Sequence, residues 1–94
     1  MTDPARITKV FRALSVDTRV RIVQLLKKHP LCVGALAARL DVTPAAVSQH
    51  LRILRGADLV TADKQGYYVH YRINEKTLAA WRKLADELLE TQTE

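Results

Sequence analysis

Ser48, Gln49 and Arg52 fall within five consecutive residues, with Thr43, Ala45 and His50 beside them. These side chains bond base edges and phosphates; they are not a set that breaks covalent bonds. Glutamine pairs a donor with an acceptor and suits the edge of an adenine, arginine offers a forked cation, and the serine and threonine hydroxyls serve either partner. Ala45 leaves room for close approach and can touch a thymine methyl. The surrounding stretch, T-P-A-A-V-S-Q-H-L-R-I-L-R-G (Thr43 to Gly56), holds no carboxylate. The expected chemistry is recognition of a polyanion, with Gln49 reading bases, Ser48 and Thr43 at the boundary between base and phosphate, and Arg52 on phosphate. His50 joins the same surface. No G-x-S-x-G, glycine-rich phosphate loop or paired catalytic carboxylates occur, so an enzyme is not expected.

Such a face needs a rigid element behind it. Thr43 is an N-cap residue and Pro44 fits the first helical position, so a helix should begin there. Val47, Leu51 and Leu54 recur at i, i+4, i+7 and give it one narrow apolar seam opposite Ala45, Ser48, Gln49 and Arg52. Upstream, Val33, Leu36, Ala37 and Leu40 repeat at helical spacing, and only Asp41, Val42 and Thr43 separate the two segments. Two short helices joined this closely, seam against seam, predict a helix-turn-helix. Arg39, near the end of the first of them, is a further phosphate candidate. Two more helices precede these. Asp3-Pro4 opens one with Ile7, Val10, Phe11 and Leu14, and Ser15 or Asp17 caps another carrying Val20, Ile22, Val23, Leu25 and Leu26. Pro30 should end that second helix at about His29.

Beyond Gly56 the pattern changes to extended chain. Leu59 to Asp63 reads as one strand, Lys64-Gln65-Gly66 as the tip, and Tyr67 to Ile73 as a second strand whose Tyr67, Val69, Tyr71 and Ile73 should share a buried face. The hairpin is a wing with a cationic tip, which adds Lys64 and Gln65 to the nucleic-acid contacts. Asn74 then caps a last helix with Leu78, Trp81, Leu84, Ala85, Leu88 and Leu89. Its apolar band is wider than one core face requires, so Val10, Leu78, Trp81, Leu84, Ala85 and Leu88 are expected at a dimer interface. Residues 91–94 should fray. The predicted architecture is mainly α with a β-hairpin wing: a winged helix-turn-helix of order α-α-α-α-β-β-α, homodimeric, in one domain over residues 1–94.

Composition agrees with that outline. Ninety-four residues, 48% of them hydrophobic, suit one small domain that a partner subunit would help to stabilise. Residues 1–82 carry fourteen Lys and Arg against six Asp and Glu, whereas residues 83–94 carry one Lys against four acids. A basic body with an acidic tail suits a polyanion held on one side only. No apolar run is long enough to cross a bilayer and the N-terminus lacks a signal-peptide core, so a cytoplasmic protein is expected. The single cysteine agrees with a reducing compartment.

Taken in order, four segments resemble the ArsR/SmtB family of metal-sensing winged-helix repressors. F-R-A-L-S-V-D-T-R-V-R-I-V-Q-L-L (Phe11 to Leu26) is similar to that family's opening signature, and L-C-V-G-A-L-A (Leu31 to Ala37) to its third helix. V-S-Q-H-L-R-I-L-R (Val47 to Arg55) resembles its recognition helix and G-Y-Y-V-H-Y-R-I (Gly66 to Ile73) its second wing strand. The resemblance implies a homodimeric, sequence-specific DNA-binding regulator that represses from an imperfect inverted repeat and releases it when an effector arrives. The acid-free face argues against the alternative, a winged helix that docks protein instead of DNA. Two departures stand out. Where the family has A-G-L-V after the recognition helix, this chain has Ala57-Asp58-Leu59-Val60, which puts an aspartate where a left-handed residue is needed. Where the family's arsenic, cadmium and lead sensors carry C-x-C, it has Cys32 and Gly34, leaving one thiolate with His29 as the nearest nitrogen. No metal or cofactor is therefore expected, and an effector acting at Cys32 would have little besides that pair to use. The family's other metal site needs histidines on the last helix, which has none.

Overall fold

A computed structural model describes residues 3–91. Five helices and one hairpin follow in the order α1 (Pro4–Ala13), α2 (Asp17–Leu26), α3 (Val33–Leu40), α4 (Pro44–Gly56), β1 (Val60–Gln65), β2 (Tyr68–Ile73) and α5 (Glu75–Leu89). Three of the four expected caps form. Asp3 accepts the Ala5 N–H at 3.0 Å, Thr43 Oγ1 that of Ala46 at 3.1 Å, and Asn74 Oδ1 that of Thr77 at 3.4 Å. The start of α2 differs, since neither Ser15 nor Asp17 caps it. Val16 holds the cap position without a side-chain bond, while the Ser15 hydroxyl donates back to the Arg12 carbonyl at 2.8 Å.

Arg19, in the first turn of α2, instead caps the other side of this junction, the C-terminal end of α1. Its Nε donates to the Ala13 carbonyl at 2.6 Å and its Nη2 to that of Arg12 at 3.1 Å. The guanidinium closes the open carbonyl end of α1, where a cation also meets the negative end of the helix dipole. This contact buries Arg19 and fixes the angle between the first two helices. Helix α2 itself stops at Leu26, three residues short of His29, because the chain must turn for Leu31 to pair with Tyr71 through two backbone hydrogen bonds of 3.1 and 2.8 Å.

Two apolar clusters hold the domain. The larger draws Ile22 and Leu26 of α2, Leu36 and Leu40 of α3, the α4 seam, Leu59, Val60 and Ile73 into one core, and Val47, Leu51 and Leu54 are all but sealed from solvent. Each of those three contributes about 2 kcal/mol by removal from water. The smaller cluster joins α1 to α5 through Ile7, Val10 and Leu84, with Trp81 packed against both clusters. Val10 and Leu84, expected between subunits, are already covered within one chain. Leu78, Trp81 and Ala85 are half-buried, and the apolar surface left open on α5 is Leu88 and Leu89, 46% and 69% exposed, with Phe11 open on α1. Thr91 lies beyond the helix, and the rest of the expected frayed tail, 92–94, is outside the described residues.

Both ends of the recognition unit turn on left-handed aspartates. Asp41 (φ 55°) ends α3 and lets the Val42 N–H reach the Ala37 carbonyl at 3.2 Å. Asp58 (φ 64°) does the same after α4, with Asp58 N–H to Arg55 O at 2.9 Å and Leu59 N–H to Leu54 O at 3.0 Å, the bond pair of a Schellman closure. Asp58 fits where glycine is usual because its carboxylate also accepts the Thr77 hydroxyl at 3.2 Å.

Candidate nucleic-acid interface

The angular order of α4 decides which residues can meet a ligand. At 100° per residue the seam of Val47, Leu51 and Leu54 occupies one side, and Ala45, Ser48, Gln49 and Arg52 emerge on the other. All four are exposed, as is Thr43 at the N-cap. His50 departs from the expected set: it sits on the flank of the seam, half-buried, and its Nδ1 is out of solvent with no hydrogen-bond partner. The surface gains a residue in exchange. Arg55, three positions after Arg52 and seven after Ser48, lines with them a groove of about 430 Å³ that runs from α4 to Tyr71 of the wing. Its i+3 and i+7 spacing was the signal for it in the sequence.

The wing is antiparallel, with Val60 opposite Ile73 and Gln65 opposite Tyr68. Its turn lies later than expected. Lys64 and Gln65 are strand residues paired with Val69 and Tyr68, and the two-residue turn is Gly66-Tyr67, with glycine at the first central position and φ 64°. Tyr67 is consequently fully exposed at the tip, Val69 is exposed too, and only Tyr71 and Ile73, over the core, are covered as the alternation predicted. Lys64 and Gln65 remain exposed near the tip. The wing's acid, Asp63, is paired with Arg72 at 2.8 Å, so it does not oppose the positive charge of Lys64. Arg39, exposed in the last turn of α3, stands apart from both surfaces in a groove with α2.

A helix pair with a wing beside it is also the arrangement of solved relatives. The family described as "Bacterial regulatory protein, arsR family" matches residues 17–62, which run from the start of α2 into β1. The arsenical resistance operon repressor of Escherichia coli (strain K12) is 39% identical over 80 residues, covering 84% of this chain and 68% of that protein. This chain belongs to the ArsR family. It is a DNA-binding transcriptional regulator with the winged helix-turn-helix fold. Among solved ArsR-like structures, that of a possible transcriptional regulator for arsenical resistance superposes with a TM-score of 0.79 at 38% identity, covering 86% of this chain and 84% of the other. The solution structure of a homodimeric winged helix-turn-helix DNA-binding domain from Mycobacterium bovis matches with a TM-score of 0.73 at 28% identity, covering 96% and 87%.

The metal sites of ArsR-family sensors do not fit these residues. Cys32 is a half-buried free thiol at the N-cap position of α3 and makes no capping bond, while His29 is exposed with its Nδ1 3.4 Å from the Pro30 carbonyl. Among the described residues no three His, Cys, Asp or Glu side chains gather where an ion could sit. One thiolate and one imidazole fall short of the three or four ligands that soft or borderline ions take. No helix among the described residues is long and apolar enough to cross a membrane.

Proposed function

We propose that the chain works in the cytoplasm as a homodimeric repressor, seating two α4 helices in successive major grooves of an imperfect inverted repeat and releasing it when an effector binds. The observation that carries this reading is the exposed, acid-free face of Ala45, Ser48, Gln49, Arg52 and Arg55. A two-fold would set the helices about 34–36 Å apart, one turn of B-form DNA. Gln49 reads a base edge, Ser48 and Thr43 stand at the backbone margin, and Arg52, Arg55 and Lys64 hold phosphates, with Gln65 beside Lys64 on the wing. The Thr43 hydroxyl, whose oxygen accepts the Ala46 N–H, keeps its hydrogen free to donate to a phosphate oxygen. The open Leu88, Leu89 and Phe11 surface supports pairing, as does the homodimeric M. bovis relative.

Gel shifts on the DNA upstream of the coding sequence test this. Gln49→Ala is expected to relax base preference by about 1–3 kcal/mol at one position per half-site, and Lys64→Ala to weaken binding to all sequences alike while reducing the salt slope by about 1. If both variants bind and discriminate as the wild type does, the assignment of this face is wrong.

A further inference from the structure

A second cationic surface lies away from the α4 face. Helix α2 with the two lysines that follow it and the last turn of α3 enclose an open groove of about 660 Å³, rimmed by Arg21, Lys27, Lys28 and Arg39 over a floor of Leu25 and Leu40. No carboxylate lines it. The ion pairs among the described residues are Arg72 with Asp63 and Arg82 with Asp86, so none of the four rim cations is neutralised. Two helix C-termini, those of α2 and α3, end nearby and attract cations, but each carries only about half a negative charge. Four positive charges against roughly one leave a surplus of about three, more than helix capping calls for.

The groove is also tied to the recognition unit. Arg39 precedes the α4 cap Thr43 by four residues, a stretch of chain no longer than about 15 Å. That is roughly four base-pair rises along a duplex in which each strand carries one phosphate per 3.4 Å of axis, or about that. We propose that the groove takes backbone phosphates of DNA outside the base pairs read by α4, so that contact extends from the helix-turn-helix onto α2. The two arginine forks can grip a phosphate through paired N–H donors, and the two lysines act as point charges. This inference rests on the reading of α4 as the DNA-contacting helix.

The test uses the full chain and fluorescence anisotropy on labelled duplexes at a series of salt concentrations. One duplex carries the native upstream sequence with long flanks, one the same length scrambled, and one is trimmed to the half-sites. Lys27→Ala/Lys28→Ala removes two exposed cations, and Arg21→Gln provides an independent variant if the double substitution fails to fold. On both long duplexes the double variant should lower the slope of log K against log salt by about 1.8, and Arg21→Gln by about 0.9. Between about 50 and 200 mM salt the double variant therefore loses roughly twelvefold less affinity than the wild type. Preference for native over scrambled sequence should survive, and the trimmed duplex should show no difference in slope. A wild type that binds with a slope both variants share overturns the groove assignment alone; a wild type that binds neither long duplex overturns the reading of α4 and this proposal with it. Inorganic phosphate serves as the arm for a free anion: if it raises the melting temperature of the wild type but not of the variants while the slopes coincide, the groove holds free phosphate and the DNA assignment falls.

Discussion

Arg19 should be among the most costly charged residues to remove from this domain, because it is buried and caps α1. Its Nε–Ala13 contact, at 2.6 Å, is the stronger of its two bonds. The second adds less, because the Arg12 carbonyl also accepts the Ser15 N–H at 3.3 Å and the Ser15 hydroxyl at 2.8 Å. A hydrogen bond from a charged donor contributes about 1.5–3 kcal/mol, and a cation at a helix C-terminus about 0.3–1 kcal/mol more. Arg19→Met keeps much of the packing but leaves the Ala13 carbonyl without this donor, so the expected loss is about 2–3 kcal/mol. For a domain of this size that is a fall in melting temperature of about 10–20 °C. Urea denaturation at fixed protein concentration checks it, with the midpoint moving down by about 1–2 M and the slope unchanged. Arg19→Lys, which keeps the charge but loses the fork, should fall between. An Arg19→Met variant within about 0.5 kcal/mol of the wild type would refute the argument, because the contact would then be worth no more than an ordinary surface substitution.

The left-handed aspartates give a paired prediction. Asp41→Gly should stabilise by up to about 1 kcal/mol as strain is relieved, and Asp58→Gly by less because it forfeits the Thr77 hydroxyl; a larger gain at Asp58 would contradict the role given to that bond. Cys32→Ser should bind and release DNA as the wild type does when thiophilic metals or mild oxidants are added, and a variant that stays bound while the wild type lets go would make the thiol the sensor. Replacing Leu88 and Leu89 together by Asp should shift sedimentation toward monomer at micromolar concentration while leaving the fold intact, since both are exposed within one chain. Unchanged sedimentation would move the subunit interface elsewhere.

What could be seen in the sequence was governed by range. The α4 seam and the caps at Asp3, Thr43 and Asn74 depend on residues within a few positions of one another, and spacing reveals them, whereas the left-handed turn at Asp58 was legible only through the family resemblance. The wing was half legible. Alternation identifies a strand face but not how far the strand reaches past the core, so Tyr67 and Val69 read as buried although only Tyr71 and Ile73 lie over other side chains. Likewise Pro30 sets a limit on α2 but not its end, which is fixed by the distant pairing of Leu31 with Tyr71. Arg19 resembles any charged residue on a helix until the open end of α1 is placed against it. The interface set at Val10 and Leu84 shows a related limit: an apolar stripe states that something covers it but not what, and within this chain α1 and α5 cover each other there.

That mutual cover also sets a timetable for synthesis. Leu84 follows Val10 by 74 positions, so at about 5–20 residues per second the opening helix is made and then waits about 4–15 s for the side chain that shelters it. During that interval Ile7 and Val10 are bare beside a core that can already condense around the middle helices. The newborn polypeptide is most prone to sticking along α1, and a product cut short before the final helix would carry its adhesive part there, far in sequence from the break.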